Sequence, residues 1–258
     1  MPTHAGARIL VTAAASGIGA AIARAFAAAG ARVHICDVDP RALGAALDAA
    51  EGLTGTLADV SDPAAVDALF DEAQAALGGL DVLVNNAGIA GPTAPLEEID
   101  VDAWRRTLAV DLDGAFLCAR RAVPLLKQAG GGCIVNISST SGVMGCPNRS
   151  PYVAAKWALI GLTKTWAMEL GAWDIRVNAI CPGIVEGERL RRVIAADAAA
   201  AGKTEAQIRA SYTAGMSLRG PIEAEDVAAA VLFLCSPGAA RISGQALGVD
   251  GHTDTQRV

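Results

Sequence analysis

Arg8-Ile-Leu-Val-Thr12-Ala13-Ala14-Ala15-Ser16-Gly17-Ile18-Gly19 is the stretch whose reading decides the fold. Arg8 to Thr12 is a short apolar run of the kind that forms a strand buried on both faces. Gly17 to Ala29 is rich in alanine, the strongest helix former. Glycines in the turn between them let backbone approach a bound group. The helix start adds unpaired N–H groups and the positive end of a dipole. Such a strand–turn–helix unit can hold a pyrophosphate, although a turn that needs glycine only for packing looks the same in sequence.

The same alternation continues outward. Arg32 to Cys36 reads as a second strand, Pro40 starts a helix, and Leu53 to Leu57 reads as a third strand. Ser61-Asp62-Pro63 caps a helix to about Leu77, since Asp accepts from free N–H groups and proline is tolerated in the first turn. Further strands are expected at Leu80–Val84, Cys133–Ile137, Ile175–Ile180 and Gly244–Asp250. A long helix is expected over Val101–Gln128, another from Pro151 to about Leu170, one or two over Gly187–Gly215, and a last one over Glu223–Cys235. Short apolar strands alternating with amphipathic helices imply an α/β doubly wound, mostly parallel sheet (Rossmann-like) with helices on both faces. No linker divides residues 1–258, so one domain is expected, with a mobile lid at about 187–215.

Composition narrows the function classes. A net charge of −6 argues against nucleic acid or an anionic membrane as partner. No apolar run is long enough to span a bilayer, and the N-terminal residues lack the pattern of a signal peptide, so a soluble cytoplasmic protein is expected. The six cysteines are scattered with no Cys-x-x-Cys pair, which suits buried free thiols rather than disulfides or a metal.

In such sheets ligands bind beyond the carboxyl ends of the strands. Thr12, Asp37, Asp59, Asn85, Ser139 and Pro182 all fall there. Asp37 ends the second strand, where a carboxylate can accept from both hydroxyls of an adenosine ribose and would repel a 2′-phosphate. No basic residue stands at Ser16 or Val38, so NAD is favoured over NADP. Tyr152 and Lys156 lie four apart in a helical segment and share a face. A nearby ammonium favours a phenolate over a phenol, so Tyr152 is a candidate general acid or base. Ser139, at the mouth of the preceding strand, could hydrogen-bond the reacting oxygen. A surface Tyr and Lys beside a polar turn is the ordinary alternative.

Taken together, these residues resemble the short-chain dehydrogenase/reductase family in its single-domain branch. The resemblance runs through the Thr12–Gly19 turn, Asp59-Val60, Asn85-Asn86-Ala87-Gly88, Ile137-Ser138-Ser139, Tyr152 to Lys156, Pro182-Gly183 and Ile242-Ser243-Gly244-Gln245. It implies an NAD-dependent enzyme that interconverts a secondary alcohol and its ketone, with Ser139, Tyr152 and Lys156 catalytic and no metal. Ala13, Ser16, Gly17, Ile18, Gly19 and Asp37 would hold the cofactor. Asp59 and Val60 would flank the adenine, and Asn85, Ala87 and Gly88 would line the cofactor and stiffen the sheet. Tyr152 and Lys156 would meet the nicotinamide ribose, and Pro182, Gly183 and Val185 the carboxamide. The family's usual tetramer is implied as well. An NADPH-dependent 3-oxoacyl-type ketoreductase and a non-catalytic nucleotide-binding scaffold are the alternatives.

Four residues depart from the family pattern. Ala13 stands where the turn usually has glycine, and His252 where a second glycine often follows Asp250-Gly251. Gly187 replaces a usual Thr. Asp111 stands where an Asn usually supports a water-mediated proton relay to Lys156, so Asp111 either joins that relay or pairs with Lys156. The substrate pocket should be bordered by Thr140–Arg149, Ala90–Ala94 and Ile184–Gly215. Cys146 and Met144 suggest an adaptable wall. Arg189 or Arg192 could bind a substrate carboxylate or phosphate, although a solvated helix face with a Glu188–Arg192 pair is the usual state of such charge. A polyol, a cyclic alcohol and a hydroxy acid all fit.

Overall fold

The computed structural model describes residues 4–50, 52–218 and 220–253. The chain runs β1 (Arg8–Val11), α1 (Gly17–Ala28), β2 (Arg32–Asp37), α2 (Pro40–Asp48), β3 (Leu53–Leu57), α3 (Pro63–Leu77) and β4 (Val82–Asn85). It continues through α4 (Val101–Leu108), α5 (Gly114–Gln128), β5 (Gly132–Ile137), α6 (Ser150–Leu170), β6 (Ile175–Pro182), α7 (Glu188–Ala201), α8 (Glu205–Ala214), α9 (Ala224–Cys235) and β7 (Ala246–Val249). The strands form a parallel sheet in the order β3-β2-β1-β4-β5-β6-β7.

Strand periodicity builds the two faces. Ile9, Val11, Val82, Val84, Val135 and Ile137 point to one side, where Ile22 and Phe26 of α1 and Val227 and Val231 of α9 cover them. Leu10, Leu83, Ile134 and Val177 point to the other, under Phe70 of α3, Cys118 and Leu126 of α5 and Leu170 of α6. A strand covered on both faces has no solvent side, which is why these strands read as continuous apolar runs. His34 is a buried exception on β2. Its ring nitrogens lie 2.8 and 2.9 Å from the Thr54 and Thr56 hydroxyls of β3, and burial pushes its pKa down to about 4.

The expected elements are present, with shifted ends. β4 starts at Val82 because Asp81 is held at the strand entrance, accepting from the backbone N–H and the guanidinium of Arg8. β6 runs on to Pro182 because β7 pairs with it from Ala179 to Pro182, and β7 is confined to that pairing. The long helix expected over Val101–Gln128 is interrupted by a π-helical turn at Ala109–Asp113. Such turns often sit at functional sites, and this one carries Asp111. Asp39, Asp62 and Asp100 cap α2, α3 and α4 by accepting from first-turn N–H groups. Among the described residues no helix is long and apolar enough to cross a membrane. The six cysteines are free, and Cys36, Cys118, Cys133 and Cys181 are buried.

Candidate active site

Strand order reverses between β1 and β4, and a cleft of about 560 Å³ opens beyond the carboxyl ends of the strands there. Its floor is tied together at Thr12. The Thr12 hydroxyl accepts from the Asn86 and Ala87 N–H groups, and the Asn86 side chain donates back to the Thr12 and Ala13 carbonyls. A methyl at Gly19 would lie 2.5 Å from both the Ala13 carbonyl and the Asn86 amide, so only glycine fits there. Ala13 holds φ +49°, in the left-handed region where alanine is strained. His252 does the same at φ +60°. Both replacements of an expected glycine therefore lie where the backbone favours glycine. Asp37, at the end of β2, accepts from the Ala15 and Asp39 N–H groups at 3.1 and 3.2 Å.

The other end of the cleft holds Ser139, Tyr152 and Lys156. Ser139 follows β5, and its hydroxyl accepts from the Ser141 N–H. Tyr152 and Lys156 face the same cleft from the first turns of α6. Ser138 locks this helix to the strand end by donating to the Lys156 carbonyl. Deeper in, Asn85 donates to Asn136, and Asn136 donates to Thr163 of α6. The Lys156 ammonium is buried, donates to the Ile137 carbonyl at 3.2 Å, and lies 3.4 Å from Asp111 Oδ2. Asp111 Oδ1 accepts from the Ile89 N–H at 2.7 Å. Gly88 leaves room for this pair, since a Cβ there would stand 3.1 Å from Lys156 Nζ. The ammonium is 5.6 Å from the centre of the Tyr152 ring.

Comparison with known proteins agrees with this geometry. A family model described as Enoyl-(Acyl carrier protein) reductase matches residues 12–252. The chain is 43% identical over 245 residues to a cis-4-hydroxycyclohexanecarboxylate dehydrogenase of Sinomonas cyclohexanicum, covering 94% of each chain. It is 36% identical over 254 residues to a D-beta-hydroxybutyrate dehydrogenase of Rhizobium meliloti, covering 96% of this chain and 98% of that one. A solved 7 alpha-hydroxysteroid dehydrogenase, complexed with NADH and 7-oxo glycochenodeoxycholic acid, superposes with a TM-score of 0.90 at 31% identity, covering 98% of this chain and 96% of that one. The chain belongs to the short-chain dehydrogenase/reductase family. It is a family enzyme of the alcohol dehydrogenase/ketone reductase type.

Most residues that the family resemblance singled out line one cleft. Ala13, Ser16, Gly17, Ile18, Asp37, Asp59, Val60, Ala87 and Gly88 meet there with Ser139, Tyr152, Lys156, Pro182, Gly183 and Val185. Gly19 and Asn85 do not line it. Gly19 is a packing position, and the Asn85 side chain turns inward to Asn136 and the Ala115 carbonyl. Asn86, passed over in the sequence, lines the cleft instead. Asp59 lines the cleft while bound to Arg106 at 2.8 Å and to Ser61. Burial works to raise its pKa, but those partners outweigh it and hold the carboxyl below its usual range. Asp111 lies behind Lys156, in contact with the ammonium rather than exposed to the cleft.

The α7 and α8 side of the cleft contains a network that the sequence did not reveal. Arg149, just before α6, is buried against Asp197 of α7 at 3.0 Å. Asp197 also accepts from Thr93 and from Tyr212 of α8. Burial and the bond to Asp197 push the Tyr212 phenol up. Arg149 further donates to the Ala90 carbonyl. One carboxylate thus joins α7, α8, the Ala90–Ala94 loop and the start of α6. Cys146 completes the wall, and burial raises its thiol pKa.

Proposed function

We propose that this chain is an NAD-dependent dehydrogenase of secondary alcohols, working through Ser139, Tyr152 and Lys156. The observation that carries the reading is their meeting in one cleft whose far end is closed by Asp37. Bound NAD would accept a hydride from the carbinol carbon. Tyr152 takes the hydroxyl proton in that step and returns it in the reverse direction. Ser139 hydrogen-bonds the carbinol oxygen and fixes it against Tyr152. The Lys156 ammonium, paired with Asp111 and lying beside the Tyr152 ring, would reach the nicotinamide ribose. Catalysis then comes from positioning and proton transfer.

The residues present fit a dinucleotide. The α1 start and Gly17 suit the pyrophosphate. Asp37 suits an unphosphorylated ribose, and neither of its cleft neighbours, Ser16 and Val38, is basic. That disfavours an NADPH-linked 3-oxoacyl reductase. We place α7 and α8 as a lid over the substrate. We further place the enzyme in the cytoplasm, where free cysteines persist. A homotetramer would cover the exposed Phe116, Trp157, Met168 and Leu247 side chains of α5, α6 and β7.

Affinities for NAD and NADP, with the Asp37→Ala variant alongside, test the reading. NAD should bind roughly 10-fold or more tightly than NADP, as expected when charged hydrogen bonds replace repulsion. Asp37→Ala should weaken NAD and narrow the gap. Equal affinities in the unmodified enzyme would remove the NAD assignment.

A further inference from the structure

Pairing off the charges of the cleft leaves one cation over. Arg106 is held by Asp59 at 2.8 Å, Arg149 by Asp197 at 3.0 Å, and Lys156 by Asp111 at 3.4 Å. Arg192 lies 4.0 Å from Glu188, one turn back on α7. Glu186, a cleft acid on the lid side, is taken by Arg209 at 2.7 Å. Arg189, in the first turn of α7, has no carboxylate within ion-pair distance among the described residues. Its guanidinium donates to the Gly88 carbonyl at 3.2 Å and lies 5.6 Å from the centre of the Tyr152 ring. It therefore leans from the lid onto the residue that handles the substrate proton. Around it, Ile184, Leu190, Val193 and Cys146 give the cleft an apolar lining.

We infer that Arg189 is a specificity-determining residue that binds the carboxylate of a hydroxy-acid substrate. The inference rests on the dehydrogenase reading above and narrows its substrate class. With the carbinol oxygen between Ser139 and Tyr152, a carboxylate further along the molecule meets the guanidinium, and the apolar lining holds the carbon skeleton between them. Guanidinium is suited to this because its planar fork matches a carboxylate with two parallel hydrogen bonds. The carbonyl of Gly88 is a neutral partner that a carboxylate replaces at little cost. Polyols and neutral cyclic alcohols have no group for this contact.

The test compares an acid with its neutral twin. Initial rates are measured with NAD for 4-hydroxycyclohexanecarboxylate and for 4-hydroxycyclohexanecarboxamide, using unmodified enzyme, Arg189→Met and Arg192→Met. NADH binding to each protein is measured by fluorescence. Arg189→Met should lower kcat/KM for the acid by roughly 10- to 100-fold, mostly through KM, the range of a lost charge-assisted pair. The amide should change little, NADH affinity should hold, and Arg192→Met should leave the acid-to-amide ratio unchanged. An equal loss on acid and amide, or a comparable loss of NADH affinity, would overturn the assignment and make Arg189 a general cleft or cofactor residue. So would an unmodified enzyme that prefers the amide. Turnover of neither compound, nor of any other secondary alcohol, would instead reject the dehydrogenase reading on which the inference stands.

Discussion

Two buried ion pairs reach the N-terminal part of α6 from opposite sides, and they are satisfied to different degrees. On the side of α7 and α8, Asp197 accepts from Arg149, Thr93 and Tyr212, so both of its oxygens are engaged. On the side of the π-helical turn, Asp111 accepts from the Ile89 N–H through Oδ1, while Oδ2 faces Lys156 at 3.4 Å with no hydrogen bond among the described residues. A buried charge whose partner is removed is costly, and more so the more of its hydrogen bonds run through that partner. The Arg149–Asp197 network is a structural latch. The Lys156–Asp111 pair holds its ammonium through one carboxylate oxygen and is the less fully bonded of the two.

The comparison breaks most visibly at the latch. Asp197→Ala leaves the Arg149 guanidinium buried without its acid, which costs about 3–5 kcal/mol. Denaturant unfolding should show that loss, and substrate KM should rise while NADH affinity stays close to that of the unmodified enzyme. Unchanged stability would mean that Asp197 is not the latch.

Within the sheet itself, at β2 and β3, the sensitivity is to acid. His34 joins β2 to β3 in its neutral form, with its pKa lowered from 6.5 to about 4. The unfolded chain therefore binds a proton first as pH falls. The stabilisation is complete above pH 6.5 and is lost as pH drops from 6.5 towards 4, amounting to about 3 kcal/mol. Stability measured across that window should fall less steeply in His34→Gln than in the unmodified protein. Parallel curves would remove His34 from the acid response.

The smallest effect is a gain. Ala13 is strained at φ +49° in the turn between β1 and α1. Ala13→Gly should raise stability by about 1 kcal/mol, the left-handed penalty less the entropy that glycine adds to the unfolded chain. The melting temperature reads it, and a fall would show that the methyl is needed for packing.

The two walls also differ in how far the sequence exposed them. The wall at β1, β2 and β4 is made of consecutive residues at strand ends, where glycine spacing, strand period and an acid after β2 carry local signals. Even there, Asn86 was passed over beside Asn85, although strand alternation puts neighbours on opposite sides and could have separated them. The π-helical turn also left a trace, because Asp111 is an acid set directly between the apolar Val110 and Leu112. Arg149, Asp197, Thr93 and Tyr212 come from four separate segments with no shared spacing, so nothing local announces that they meet. Arg189 was visible as a charge, but only the pairing of its neighbours sets it apart from a solvated helix face.

The central claim is that this cleft moves a hydride between a carbinol carbon and a nicotinamide, with Tyr152 moving the proton. The direct measurement is oxidation of a secondary alcohol deuterated at the carbinol carbon, using NAD with the unmodified enzyme and with Tyr152→Phe. The account predicts deuterium on the nicotinamide ring of the NADH formed. It also predicts a rate reduced roughly 10²- to 10⁴-fold in the variant, the range for loss of a general acid–base group, with NADH affinity nearly intact. Deuterium released to solvent, or a Tyr152→Phe enzyme that turns over at the unmodified rate, would contradict it.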